Sequence, residues 1–155
     1  MSELASRWFH FRAKGHVNVT ARHRTTIEIT KEGTLTPRGD CIIGVSSEAS
    51  ASSLPDWLRN GLRDPNNAVL VVLCSSDLCD AVIGHGDPRI TASNNMKIII
   101  RKSDYVEGST IMVRSNKAAA DLNRELVSRL ARGDDLHVYI TYLPLITGNS
   151  HKNNI

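Results

Sequence analysis

Apolar residues along this chain recur with period two in several short runs and with helical spacing in two longer ones. Arg7–Lys14, RWFHFRAK, sets Trp8, His10 and Arg12 on one face and Phe9, Phe11 and Ala13 on the other, which predicts a strand that Gly15 ends. Thr25–Lys31, TTIEITK, is a β-branched strand with Ile27 and Ile29 inward and Glu28 outward, facing solvent. A turn follows at Lys31-Glu32-Gly33, and Pro37 and Gly39 prolong the irregular stretch. Asp40–Val45 is an apolar strand. Leu54, Leu58 and Leu62 then mark a helical face, with Ser53 as N-cap and Pro55 at the helix start. Asp64-Pro65-Asn66-Asn67 breaks it, and Ala68–Ser75 and Cys79–Gly84 read as strands. Asn95–Lys102 and Ser109–Arg114 are two more. Ser115 or Asn116 caps a helix over Lys117–Arg132, striped by Ala118, Ala119, Leu122, Leu126 and Leu130; Gly133 stops it. Leu136–Leu143 is the last strand, ahead of a polar tail over 148–155.

The same order of elements occurs twice. A shift of 71 lays Ile27 and Ile29 on Ile98 and Ile100; a shift of 68 lays Leu54, Leu58 and Leu62 on Leu122, Leu126 and Leu130. A shift of 69 lays Gly39 on Gly108, Ile42 on Ile111, Val69 on Val138 and Gly15-His16 on Gly84-His85. The expectation is an α+β chain: one domain over 1–147, made of two pseudo-symmetric halves at about 7–75 and 79–145. Neither half can bury its strands alone, so duplicated ββαβ-type units should join in a closed or partly open β-barrel with two helices. Gly39-Asp40 before a strand resembles the GD box of cradle-loop barrels; Gly108-Ser109 lacks the acid. An unrelated α+β sheet is the competing arrangement.

Composition changes this picture little. The chain of 155 residues carries a formal charge of +3, which suits phosphate-bearing partners without being a polybasic signature. Cys41, Cys74 and Cys79, an odd count with no CxxC pair, predict free thiols in a reducing compartment. MSELASRWFHFR lacks the apolar core of a signal peptide, and no apolar run approaches the ~18 residues of a spanning helix. A cytoplasmic protein without membrane contact is expected.

Candidate chemistry concentrates in Gly15–Val45, where arginines and histidines crowd a Pro/Gly turn. His23 and Asp40 are the candidate acid–base pair, the carboxylate orienting the imidazole. His16, Arg24, Thr25 and Arg38 are the first-half candidates for holding an anion; His85, Arg89, Arg101, Lys102 and Lys117 are the second-half set. A cleft between the two Gly-His loops and the Arg-rich loops would take a small phosphorylated or carboxylated ligand, with turnover left open. The competing functions are an RNA- or DNA-binding barrel without catalysis, through Arg22, Arg24, Lys31, Arg38, Arg101, Lys102 and Arg114, and a module that binds a protein partner. Aromatics are 5% of the chain and most sit at strand positions expected in the core, which disfavours a base-stacking platform. No metal or cofactor is expected: the spacing of His16 and His23 fits no ligand motif, and neither GxxxxGK[ST] nor GxGxxG is present.

The runs GHVNVTARHRTTIEITKEGTLTPRGDCIIGV, GHGDPR and MKIIIRKSDYVEGSTIMVRSNKAAADLNREL resemble an archaeal family of small proteins, domain of unknown function 371. The resemblance extends from about Phe9 to Tyr142. It implies an archaeal-type cytoplasmic protein and carries over no catalytic residue.

Overall fold

A computed structural model describes residues 7–145; residues 1–6 and 146–155, which include the polar tail over 148–155, lie outside the described residues. The elements are β1 (Phe9–Lys14), β2 (Thr26–Thr30), β3 (Ile42–Gly44), α1 (Asp56–Leu62), β4 (Asn67–Ser75), β5 (Leu78–His85), β6 (Lys97–Arg101), β7 (Thr110–Met112), α2 (Arg124–Ala131) and β8 (Asp135–Pro144). They form two four-stranded sheets, β1-β8-β4-β5 and β3-β2-β6-β7. The first is antiparallel throughout. In the second, β2 and β6 pair antiparallel at the centre while β3 and β7 add as parallel edges.

The apolar faces of both sheets and the leucine stripes of both helices meet in one core. Ile27, Ile29, Leu58, Leu62, Ile98, Ile100, Leu126 and Leu130 are all buried there. Both helices begin later than the sequence pattern suggests. Ala51–Ser53 and Ala119–Asp121 each form a single tight 3-10 turn before the helix proper. Asn123, not Ser115 or Asn116, caps α2, accepting hydrogen bonds from the backbone N–H of Glu125 and Leu126. The Ser115 hydroxyl instead donates to the Lys117 carbonyl at 2.6 Å.

Neither sheet closes into the expected barrel. The edges of the two sheets touch through one bridge pair at each side, Lys14–Val45 and His85–Val113. Immediately after those bridges Ser46 and Arg114 take φ of 50° and 49°, and the left-handed turn carries the chain away before a ladder can extend. The edge strands β3 and β7 are also only three residues long.

Two backbone hydrogen-bond patterns each occur twice in the chain. Gly15 and His16 donate to the carbonyls of Asp134 and Leu130; Gly86 and Asp87 donate to those of Asn67 and Leu62. The donating pair is Gly15-His16 at one place and Gly86-Asp87, rather than Gly84-His85, at the other. In the same way Arg22 and His23 donate to the Asp40 carbonyl, while Ser93 and Asn94 donate to that of Gly108. These loops run close against backbone, which is why glycine stands at 15 and 86: a Cβ there would lie 2.1 Å and 2.4 Å from a carbonyl oxygen.

The cysteines depart from expectation. Cys74 and Cys79 are direct partners across the β4–β5 hairpin, with Cα atoms 4.1 Å apart, and they form a disulfide. Their spacing in sequence matches no redox motif, but a tight hairpin sets residues five apart opposite one another. Cys41 is free.

Candidate functional site

The two loops that flank β2 carry the first-half candidates, and three hydrogen bonds bind them together. The Asn18 side-chain amide donates to the Leu35 carbonyl at 2.8 Å, and the Arg22 and His23 N–H groups reach the Asp40 carbonyl at 2.9 and 3.2 Å. Ala21 starts the second of these contacts with φ of 50°, turning the chain toward Asp40. The second half clamps this loop from below. Ala120 donates to the His23 carbonyl, Lys102 to that of Thr25, and the Arg124 guanidinium to that of Ala21 at 3.1 Å. Arg22, Arg24, Thr25 and Arg38 are exposed on the resulting surface, and His23 and Asp40 are half-buried within it. Among the described residues, Arg22, Arg24 and Arg38 form no ion pair.

His23 and Asp40 are neighbours, but through the backbone. The His23 ring accepts from the Thr25 N–H at Nδ1, 3.2 Å away, and lies 3.3 Å from the Thr25 hydroxyl; among the described residues no bond joins its ring to the Asp40 carboxylate. His16 turns its Nδ1 to the N–H of Asn18 at 3.0 Å. Both histidines thus spend one ring nitrogen on stabilising their own turns.

The second-half set is occupied differently. Arg89 grips Asp87 with two nitrogens, at 2.9 and 3.0 Å, and reaches the Asp104 carbonyl at 2.7 Å. That contact holds the Asp87 carboxyl below its ordinary range. Arg101 bonds the Glu107 carboxylate and the Thr110 hydroxyl, and its guanidinium lies over the Tyr105 ring. Burial by itself would raise the Glu107 carboxyl, but the bonds from Ser109 and Arg101 outweigh it and hold it low. Lys102 pairs with Asp121 at 2.8 Å and Lys117 with Asp80. His85 sits in the β5 bridge to Val113, half-buried. Four of the five second-half candidates are therefore cations already matched by a carboxylate.

Glu28 is not the solvent-facing residue its alternation predicts. It points away from the core, yet its carboxyl is half-covered and accepts from the Cys41 thiol at 3.6 Å. Burial raises its pKa, and burial with the adjacent Glu28 charge pushes the Cys41 thiol up to about 12.

A second constellation escaped the sequence reading. On the outer face of the first sheet His10 lies stacked on Tyr139, centroids 4.6 Å apart, and its Nε2 is 2.9 Å from His137 Nδ1. Trp8, His10, Val72, Cys74 and Tyr139 line an open cavity of about 560 Å³ there. Trp8 is 39% exposed and Tyr105 59%, so these aromatics are not core. The signal was present: Trp8, just before β1, and His10 on it alternate outward, as do His137 and Tyr139 on β8. Only the pairing of two strands at opposite ends of the chain brings them together.

No group of three or more His, Cys, Asp or Glu side chains among the described residues is placed to hold a metal ion. No helix among them is long and apolar enough to cross a membrane.

Residues 11–143 match the family described as domain of unknown function DUF371. The chain belongs to that family. It is also 39% identical over 128 residues to the uncharacterised protein MJ0206 of Methanocaldococcus jannaschii, an alignment covering 83% of this chain and 94% of that protein. The match to DUF371 takes in both loops of the first half and the outer-face cluster apart from Trp8 and His10.

Proposed function

We propose that this DUF371 protein binds a small phosphate- or carboxylate-bearing ligand through the paired loops 15–25 and 31–41. One observation carries the reading: Arg22, Arg24 and Arg38 stand exposed on loops fixed to each other, with no carboxylate among the described residues to neutralise them, whereas the comparable cations of the second half are paired. An unpaired guanidinium offers two parallel N–H donors to an oxyanion, and a pre-ordered loop loses little entropy on binding. Thr25 and His23 add a hydroxyl and an imidazole nitrogen beside them. Binding, not turnover, is what these groups support, since the His23 ring and the Asp40 carboxylate are not bonded to each other.

We further infer that the two halves are copies of one unit. The supports are the matched hydrogen bonds of the loops and the matched positive φ values at Ala21 and Ala92, 50° and 49°. On that alignment Arg22, His23 and Asp40 face Ser93, Asn94 and Gly108. The charged set is then particular to the first half, which argues for one ligand site rather than two.

The surface is open, and a polyanion such as RNA or DNA could lie across it using the same arginines. Titration of inorganic pyrophosphate and of an oligonucleotide, at low and high salt, separates the readings. For a small anion, Arg24→Ala and Arg38→Ala each weaken pyrophosphate binding about 10- to 100-fold. For nucleic acid, the losses spread over Arg22, Arg24, Lys31, Arg38 and Arg114, each lowering the salt slope by about one unit. Binding of neither overturns both and favours a protein partner.

A further inference from the structure

The Cys74–Cys79 pair has a setting that a purely structural crosslink does not need. Cys74, 8% exposed, forms part of the wall of the open cavity on the outer face of the first sheet, together with the Trp8, His10 and Tyr139 rings. Cys79, its partner, is exposed on the neighbouring strand. On its other side Cys74 has His137 as its direct cross-strand partner. His137 in turn is hydrogen-bonded to His10, which keeps its second ring nitrogen, Nδ1, outside that bond. A disulfide cysteine, an imidazole and aromatic walls thus border one cavity, and the cysteine that would leave on attack is an exposed residue.

We propose that this cavity is a thiol–disulfide exchange site, in which a low-molecular-weight thiol binds against the aromatic wall and reduces the Cys74–Cys79 disulfide. The incoming thiol gives its proton to His10. The resulting thiolate attacks Cys74 Sγ from the cavity; the new S–S bond forms as the Cys74–Cys79 bond breaks, and Cys79 departs with the electron pair as a thiolate that water protonates. A second thiol, deprotonated by solvent, attacks the outer sulfur of the mixed disulfide. Cys74 leaves as a thiolate and recovers the proton held on His10. Two thiols have become one disulfide, and the protein has gained two electrons and two protons. Run backwards with a small disulfide, the same steps reoxidise the pair. The wall of the cavity then differs between the two states, so occupancy of the site and the redox state of the chain are linked.

His10 is flanked by His137 and Tyr139 on β8 and by Trp8 and Arg12 on its own strand, and the Arg12 charge is matched by Glu48 at 3.0 Å. The base is therefore next to no unmatched charge among the described residues.

The test starts from protein oxidised with 2-hydroxyethyl disulfide, the disulfide of the thiol used next, with Cys41 blocked. Reduction by β-mercaptoethanol is followed by acid quench, alkylation and peptide mass. The expected intermediate carries the mixed disulfide on Cys74. His10→Gln should slow reduction about tenfold near pH 7 and leave the rate unchanged near pH 10, where the thiol ionises unaided. Trp8→Ala, at an exposed position, should weaken saturation by an aromatic thiol without changing the rate at saturation. Failure of the pair to oxidise, resistance to native-state reduction, or a mixed disulfide on Cys79 would each overturn the proposal. An equal effect of His10→Gln at both pH values would remove the base.

Discussion

Replacing Gly15 by alanine probes a close approach of one backbone segment to another. The added Cβ would sit 2.1 Å from the Leu130 carbonyl oxygen and 2.7 Å from that of Asp134. Neither atom can swing aside as a side chain would, because both belong to the end of α2 and the turn after it. Relief requires the β1–β2 loop to lift off that turn. Lifting strains or breaks two hydrogen bonds, Gly15 N–H to Asp134 at 2.8 Å and His16 N–H to Leu130 at 2.9 Å. Each is worth about 0.5–1.5 kcal/mol net, and the overpacking about 1–3 kcal/mol more. Alanine's smaller unfolded-state entropy returns about 0.4–1 kcal/mol. The expected net loss is about 2–4 kcal/mol, a Tm lower by roughly 5–15 °C for a chain of this size. Gly86→Ala, with its Cβ 2.4 Å from the Asp64 carbonyl oxygen and 2.6 Å from that of Leu62, should behave alike. Gly133 is the control: its φ of +93° disfavours any side chain, but nothing lies within 4 Å. Alanine there should cost about 1–2 kcal/mol from backbone strain alone. Urea unfolding followed by far-UV circular dichroism measures all three, provided the slope m is unchanged. If Gly15→Ala and Gly86→Ala both stay within about 0.5 kcal/mol of the parent, the close approach does not constrain the fold and the reasoning fails.

Three further outcomes are expected. Glu28→Gln should stabilise the protein at neutral pH. The folded pKa of Glu28 is raised above its ordinary 4.5, so its contribution is full below that value and is lost as pH rises through the folded one; the gain should vanish in urea titrations below about pH 4. Glu107→Gln should do the reverse. Its folded pKa is lowered, so its stabilisation is present above 4.5 and lost as pH falls through the folded value, and the substitution should cost about 1–3 kcal/mol at neutral pH and little in strong acid. Asn123→Ala removes the α2 cap and should cost about 1 kcal/mol by thermal unfolding, with Asn123→Ser recovering most of it.

The positions of strands and helices were legible in the chain because they follow from which residues each segment must bury. Ile27 and Ile29 face inward by alternation, and Leu54, Leu58 and Leu62 by helical spacing, whatever else the chain does. The start of α2 was misplaced because Ser115 and Asn123 are equally good caps by type. The tight turn at Ala119–Asp121 decides between them. Family membership was also written in the sequence, since Gly15–Val45 is long enough to be distinctive. What only the tertiary structure decided are relations between distant segments. Arg24 and Arg101 look alike in sequence, yet Arg101 is matched by Glu107 across the β6–β7 turn and Arg24 is matched by nothing described. Cys74 and Cys79 meet because the hairpin register opposes them, not because of any motif. His10 and His137, 127 positions apart, become hydrogen-bonded partners once β1 lies along β8. The apolar periodicity that picks out inward faces belongs to each segment, whereas the covering of Glu28, charge pairing, disulfide bonding and cavity formation depend on which segments meet.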